Sequence, residues 1–197
     1  MKKFVVLPLI LLFFGATAAF AQMETTSSAW VLGLNVGYGL PMGDFGDAYD
    51  GGLTAGASVG YMFTGKYGLE VGMEWSKFAA NDDLVAVLEA LSGEDVEANF
   101  QFMPVMVDFV ANFPMSSSVT PYLKGGLGMY FETAEITIAD DTESDSESDF
   151  GFNIGGGVKF PISATALIDF GARFHNVMTE DNSTQYFTIG AGVDFMF

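Results

Sequence analysis

The clearest pattern in this sequence is a strict alternation of apolar residues with small or polar ones. From Phe187 to Phe197 the odd positions are all apolar, whereas the even positions, apart from Met196, are Thr, Gly or Asp. Successive side chains of a β-strand point to opposite faces of the sheet, so this segment predicts a strand with one apolar face. The same period-2 pattern recurs along the preceding chain and makes β-strands the dominant predicted element.

We predict eight strands from this alternation and from the turn residues between them. They span residues 30–40, 53–63, 69–76, 103–111, 122–131, 150–160, 168–175 and 184–197. The fourth strand contains Pro104, which cannot donate a ladder hydrogen bond, and we expect a local irregularity there. The connections alternate between long and short, which predicts an all-β fold, an eight-stranded antiparallel up-and-down transmembrane β-barrel.

The long connections cover residues 41–52, 79–98, 133–149 and 177–183. Within the second of them, four apolar residues recur at helical spacing: Leu84, Val87, Leu88 and Leu91. Asp82 and Asp83 suit the start of a helix and Gly93 its end. We therefore predict a short amphipathic helix that either caps the barrel mouth or offers an apolar contact to a ligand or partner.

The N-terminal segment has the features of a secretory signal peptide. Lys2 and Lys3 precede an apolar run over residues 4–14, and small residues follow up to Ala21. The run is too short to span a membrane, and the small residues suit a cleavage site. We expect residues 1–21 to be removed and residues 22–197 to form a single barrel domain without a lipoprotein anchor, because no cysteine lies at the cleavage site.

The composition distinguishes a membrane barrel from a soluble one. The chain is 50% hydrophobic but only 16% charged, whereas soluble domains have about 25% charged residues. A soluble barrel would show the same alternation with its charged face outward. Here the polar faces consist mainly of glycine, which suits the narrow interior of an eight-stranded barrel. Aromatic residues fall toward the predicted strand ends: Trp30, Tyr38, Tyr61, Phe63, Trp75, Phe131, Phe160 and Phe197.

Charge and cysteine content exclude several classes of function. Without Lys2 and Lys3, five basic residues face 25 acidic ones, which argues against binding nucleic acid through general electrostatics. No cysteine is present, so the sequence predicts neither a disulfide framework nor a Cys-based metal site. We predict no cofactor and no bound metal.

Charged residues on the predicted inner faces form the candidate site. They are Glu70, Glu74, Asp108, Lys124, Lys159, Asp169, Arg173 and Asp194, with His175 nearby. Unpaired charges inside a narrow barrel are costly, so we expect them to form ion pairs and hydrogen bonds. Such a network is either a polar plug that fills the lumen or a constriction that selects small solutes.

Two further segments allow more specific chemistry. His175 and Asp169 share the predicted inner face, which leaves open a barrel-wall lipid acyl hydrolase, although no serine motif accompanies them. Residues 140–149 are rich in carboxylates but lack the spacing of an EF-hand loop. They predict a solvated, mobile acidic loop, with weak Ca²⁺ or Mg²⁺ binding as the alternative.

The closing strand and the first loop resemble those of a known group of proteins. An aromatic-rich strand ending in Phe195 and Phe197 resembles the closing strand of bacterial outer-membrane β-barrels, in which it serves as the assembly signal. The glycine-rich first strand and residues 41–45 (Pro-Met-Gly-Asp-Phe) resemble the porin-like "outer membrane protein beta-barrel domain" family, and the whole chain resembles the OmpA-barrel, OmpX-like and OmpW-like proteins.

This resemblance implies a location and a set of partners. The protein is expected in the outer membrane of a Gram-negative cell as a monomer, with both termini periplasmic and the long loops outside. The implied partners are outer-membrane lipid, lipopolysaccharide and the barrel-assembly machinery. The favoured role is structural or interactive, without enzymatic activity, and the runner-up is a narrow OmpW-like channel for small or hydrophobic molecules.

Overall fold

The structure, a computed structural model, describes residues 28–115, 119–139, 141–179 and 183–197. It is a closed barrel of eight strands in sequence order, with antiparallel pairing between neighbours and between the first and last strands. The predicted signal peptide, residues 1–21, lies outside the described residues. The predicted fold class is confirmed, and the sheet has no open edge around the barrel wall.

The strands and two short helices follow one another along the chain with few interruptions. The strands are β1 (Ala29–Met42), β2 (Gly52–Met62), β3 (Tyr67–Ala79), β4 (Val96–Asn112), β5 (Thr120–Ile138), β6 (Asp141–Pro161), β7 (Ala166–Met178) and β8 (Ser183–Met196). Helix α1 (Gly43–Ala48) connects β1 to β2, and helix α2 (Asp82–Ser92) connects β3 to β4. No helix among these residues is long and apolar enough to cross a membrane.

The predicted faces of the strands are those of the structure. In β1, Trp30, Leu34 and Val36 are exposed on the outer wall, and Gly33 and Gly37 face the lumen. In β4 the burial alternates in the same way, with Met106 and Asp108 inside and Phe109 outside. The outer wall is therefore apolar and the lumen is lined by small, polar and charged residues, as expected for a barrel whose outside faces hydrocarbon.

Pro104 interrupts the pairing on one side of β4 only. The register between β3 and β4 continues from Met73–Val105 to Ser76–Phe102 without an inserted residue, but the two pairs between these are not formed. On the other side Pro104 keeps its partner, Tyr130 of β5. The predicted irregularity is confirmed, and it is a gap in one ladder rather than a bulge.

Two segments predicted as loops are regular structure. The predicted mobile acidic loop, residues 133–149, is wrong: β5 runs to Ile138 and β6 begins at Asp141, so the two strands form one long hairpin. In residues 141–149, acidic residues alternate with Ser or Thr. Pairing with β5 holds this polar segment in a strand conformation. The first predicted loop likewise contains α1.

Helix α2 is confirmed with the predicted ends. The Asn81 side chain accepts a hydrogen bond from the Leu84 backbone N–H at 2.9 Å and caps the helix start. Gly93 ends the helix in the left-handed conformation, with φ of 76°, which glycine adopts without strain. The helix packs on β4, whose first buried residues are Val96 and Ala98.

Close packing between strands inside the barrel requires glycine at particular positions. A Cβ added to Gly126 on β5 would overlap the carbonyl oxygen of Val107 and the side chain of Asp108 on β4. A Cβ on the adjacent Gly125 would lie 3.2 Å from its nearest neighbour, the Asn153 carbonyl oxygen. The same strand thus offers one glycine without room for a methyl group and one with nearly enough.

This difference predicts unequal effects of two alanine substitutions. Gly126→Ala should lower the free energy of unfolding by about 1–3 kcal/mol because it overpacks the lumen beside Asp108. Gly125→Ala should cost less than about 1 kcal/mol, because only a small shift is needed. Urea unfolding of the barrel in lipid vesicles measures both, and equal losses would contradict the described packing.

Candidate functional site: the barrel lumen

Two ion pairs occupy the end of the lumen nearest the chain termini. The Lys159 Nζ atom lies 2.6 Å from Asp194 Oδ2 and links β6 to β8. The Lys124 Nζ atom lies 3.1 Å from Glu70 Oε1 and crosses from β5 to β3. All four side chains are largely buried. Each ion pair therefore links two strands of the wall at a place where water has little access.

Asp169 and Tyr122 complete this lower layer. Asp169 is the cross-strand partner of Lys159, and its side chain lines the same two cavities as Tyr122. The Lys159 ammonium also lies 4.9 Å from the centre of the Tyr122 ring, a distance at which a cation–π contact is favourable. The tyrosine therefore contacts Lys159 and lies beside its cross-strand partner, Asp169.

The middle of the lumen is held by a buried arginine and an amide. The Arg173 Nη1 atom lies 3.6 Å from Asp108 Oδ2, and Asn153 Nδ2 donates to Asp108 Oδ1 at 2.6 Å. Asp108 is fully buried, so it needs both the charge and the donor to offset its lost hydration. This arrangement joins β4, β6 and β7 across the lumen.

His175 is completely buried among side chains of the described residues. Its Nδ1 atom lies 2.9 Å from the Tyr130 hydroxyl, and its Nε2 atom lies 3.8 Å from Glu74 Oε1. The imidazole stacks on the Tyr186 ring at 4.4 Å between centroids. With 0% of its surface exposed, the ring fills space between the charged layer and the residues above it.

Aromatic side chains close the upper lumen, at the end with the long connections. Tyr186 stacks on Phe102 at 5.0 Å, and Phe78 contacts both rings edge-on. Helix α1 places Phe45 over this group, 5.3 Å from Phe78 and 5.6 Å from Phe102. We call Phe45, Tyr49, Phe78, Phe100, Phe102, Tyr130 and Tyr186 the aromatic cap.

The lumen retains little free space. Three cavities lined by described lumen residues have volumes of about 50, 20 and 10 Å³, and a cavity needs about 10–15 Å³ of such volume to hold one water molecule. The largest lies beside Arg173, Glu74 and Tyr122. These spaces suit one or a few water molecules and are too small for a sugar or an amino acid.

The nine charged or titratable residues predicted for the lumen all face it. The structure arranges them as a column from Asp194 near the termini to His175 below the aromatic cap. Among the described residues, no group of three or more His, Asp or Glu side chains could hold a metal ion. The column is held together by ion pairs and hydrogen bonds.

Sequence reasoning missed the aromatic cap. Phe78 and Phe102 lie on the inner faces of β3 and β4, beyond the predicted strand ends. Extending the period-2 alternation from Ser76 to Phe78 and from Pro104 back to Phe102 would have placed them inside. The contribution of Phe45 had no such signal, because it depends on α1 folding back over the lumen.

The last strand closes the barrel through backbone contacts at both termini of the domain. The Phe197 N–H donates to the Trp30 carbonyl oxygen at 3.0 Å, and the Trp30 N–H donates to that of Phe197 at 2.9 Å. Phe195 and Phe197 themselves lie on the outer wall, exposed.

Several solved structures are similar to this barrel. Neisserial surface protein A has a TM-score of 0.62 at 15% identity, with 87% of this chain and all of that chain covered. A major outer membrane protein from Thermus thermophilus has a TM-score of 0.63 at 11% identity, with 87% and 100% covered. Ail, the attachment invasion locus protein of Yersinia pestis, has a TM-score of 0.54 at 16% identity, with 88% and 100% covered.

These identities are low, so the structural likeness shows a shared fold. No curated protein sequence matches the chain. The family model described as "Outer membrane protein beta-barrel domain" matches residues 7–197, which is nearly the whole sequence. The chain therefore belongs to the outer membrane protein beta-barrel domain family.

Proposed function

We propose that this protein is a closed outer-membrane barrel whose role is structural and interactive. Its lumen acts as a rigid plug, and its long-connection end faces the cell exterior with the acidic hairpin. The packed lumen is the observation that supports this proposal, because three cavities between its described ion pairs, buried arginine and neighbouring side chains measure about 50 Å³ or less each.

Two independent layers support closure against solutes. A solute entering from the hairpin end meets Phe45 and Phe102 of the aromatic cap. A solute from the other end meets the pair of Lys159 with Asp194, then that of Lys124 with Glu70. Opening a path would separate buried opposite charges, which costs several kcal/mol when one partner is left unpaired. A narrow channel is therefore the less well supported of the two functions.

The surroundings of His175 support a structural role for this residue. A general base must reach the proton that it removes from a substrate or nucleophile. The imidazole instead contacts Tyr130, Tyr186 and Glu74 beneath the aromatic cap. We infer that His175 is a packing residue and that the protein has no catalytic role.

The partners in this proposal follow from the surfaces. The apolar outer wall suits lipid hydrocarbon, with Trp30 and Trp75 near opposite ends of the barrel where aromatic girdles lie. Phe195 and Phe197 suit recognition by the barrel-assembly machinery, and the long connections suit contact with lipopolysaccharide. The protein works as a monomer in this proposal, because the closed barrel needs no second chain to complete its sheet.

A bilayer recording tests the plug. The purified protein should give no unitary current at either polarity, because in this proposal the ion pairs and the aromatic cap block the narrow lumen. The double variant Phe45→Ala/Tyr49→Ala, which opens only the aromatic cap, should also stay silent because the ion-paired layer remains. Unitary current from the wild type would establish the channel instead, and current from the double variant alone would make α1 a gate.

Surface labelling of intact cells tests the orientation. The natural chain has no cysteine, so a single Thr142→Cys on the hairpin should react with a membrane-impermeant maleimide. Ala164→Cys, on the exposed turn between β6 and β7, should react only after the cells are broken. The reverse labelling pattern would show that the hairpin faces the periplasm.

A further inference from the structure

The hairpin of β5 and β6 extends beyond the barrel and leaves one strand edge open. β6 pairs with β5 along residues 141–159, but it pairs with β7 only over Phe150–Pro161. Within the described part of the chain, no strand pairs with residues 141–149 on the side away from β5. The Ser146 N–H donates to the Asp145 side chain at 3.0 Å instead, as expected for an edge group without a neighbouring strand.

This open edge presents carboxylates on one face and hydroxyls on the other. The acidic residues are Asp141, Glu143, Asp145, Glu147 and Asp149. The residues between them are Ser or Thr, and two of these contact hydroxyls of β5: Thr142 with Thr137 at 3.0 Å and Ser146 with Thr133 at 3.2 Å. Because side chains at alternate positions share a face, the edge carries a row of like charges about 7 Å apart.

Glu132 on β5 adds a buried acceptor to the same face. It is the cross-strand partner of Glu147, only 8% of its surface is exposed, and its Oε1 atom has no hydrogen-bond partner. Glu132 lies beyond Phe131, the last outward apolar residue of β5, so it is above the lipid-facing wall. A buried carboxylate oxygen without a donor is an unmet requirement that a cationic group would satisfy.

An apolar strip runs beside the acidic row. Ala134, Ile136 and Ile138 of β5 share its face, and together with Asp141, Glu143 and Asp145 they line an open groove of about 410 Å³. The described residues contain no cluster that could hold a single metal ion, and carboxylates about 7 Å apart are too widely spaced to surround one. The spacing matches cations on a neighbouring strand, which are also about 7 Å apart.

We propose that residues 141–149 bind an extended basic peptide segment that adds to β6 as a further strand. Main-chain hydrogen bonds form along the open edge, and Lys or Arg at every second position of the segment pairs with the acidic row. One cationic side chain reaches Glu132, and apolar parts of the peptide contact the strip of β5. A physiological encounter with such a segment outside the cell rests on the orientation proposed above.

The experiment uses the mature protein in nanodiscs of uncharged lipid and a fluorescent peptide with lysine at every second position. Saturable binding by fluorescence anisotropy is expected, weakening with added salt because the contacts are ionic. The triple variant Glu143→Gln/Asp145→Asn/Glu147→Gln should bind about tenfold more weakly, since it loses three cross-strand charge pairs.

A matched variant separates the edge from the overall charge. Asp44→Asn/Asp47→Asn/Asp50→Asn removes the same number of charges from exposed positions around α1 and should change the affinity less than about twofold. Circular dichroism confirms that each variant keeps its β-structure. Equal losses in the two triple variants would overturn the proposal, because binding would then follow net charge alone.

A modified peptide separates strand addition from charge attraction. N-methylation of alternate backbone amides keeps the lysines but removes donors that strand pairing needs, so binding should fall to near the level of an uncharged peptide. Binding of the methylated peptide at the parent affinity would overturn the strand geometry. Saturable Ca²⁺ binding by calorimetry, without any peptide binding, would overturn the proposal in favour of a cation site.

The pH dependence of the peptide affinity tests the role of Glu132. Burial, followed by the nearby charges of Asp149 and Glu147, raises the pKa of Glu132 to about 7. Because a cation prefers the ionised carboxylate, affinity should rise as the pH increases through 7, and Glu132→Gln should flatten that rise. An unchanged pH profile in Glu132→Gln would remove Glu132 from the site.

These measurements use purified protein with both barrel ends accessible. Failure to bind the peptide would therefore leave the plug and the cellular orientation unaffected. Conversely, unitary current or reversed labelling would contradict the proposed function while the binding result stands.

Discussion

Backbone hydrogen bonding between β1 and β8 is the constraint on which the rest of the structure depends. Hydrocarbon offers no partner to an exposed N–H or C=O group, so a sheet that crosses it must close. Here the pairing runs from Val31–Met196 to Met42–Gln185, and Trp30 and Phe197 exchange two further backbone bonds. Without a cysteine in the chain, this ladder and the lumen contacts hold the fold.

Closing only eight strands leaves an interior just wide enough for side chains to fill, and this forces a division of roles. Glycines such as Gly126 let neighbouring strands and their charged residues approach. The remaining space is shared by a charged column around Arg173 and Asp108 and by an aromatic cap around Phe102. The lumen therefore stabilises the wall instead of leaving it hollow, which is why we assign function to the surfaces.

The acidic hairpin follows a different rule from the wall. Above Phe131 the alternation persists, but it now separates carboxylates from hydroxyls instead of lipid from lumen. Open strand edges attract other strands, and charged residues on an edge discourage pairing between identical copies. The same charges that keep two acidic edges apart favour a basic strand, so protection against aggregation and selectivity for a partner arise from one feature.

The sequence was sufficient to predict which residues face outward on the barrel wall, but it was insufficient to predict where the strands end. Period-2 alternation predicts that Trp75 faces outward and Asp108 faces the lumen. A register shift of one residue would turn the lumen charges of a strand toward lipid. Strand ends depend on cross-strand pairing, which local polarity conceals: the Asp- and Ser-rich residues 141–149 have low strand propensity but pair with β5. The specific ion pairs depend on strand stagger, and the aromatic cap depends on the position of α1, neither of which a local pattern encodes.

Quenching of the two native tryptophans by brominated lipids tests the central claim most directly. Trp30 and Trp75 lie on the outer wall with 50% and 40% of their surfaces exposed, so lipids brominated near the headgroup should quench their fluorescence strongly. Aqueous iodide should have little effect on the protein in vesicles. Strong quenching by iodide without quenching by brominated lipid would show that this wall faces water, and the account would be contradicted.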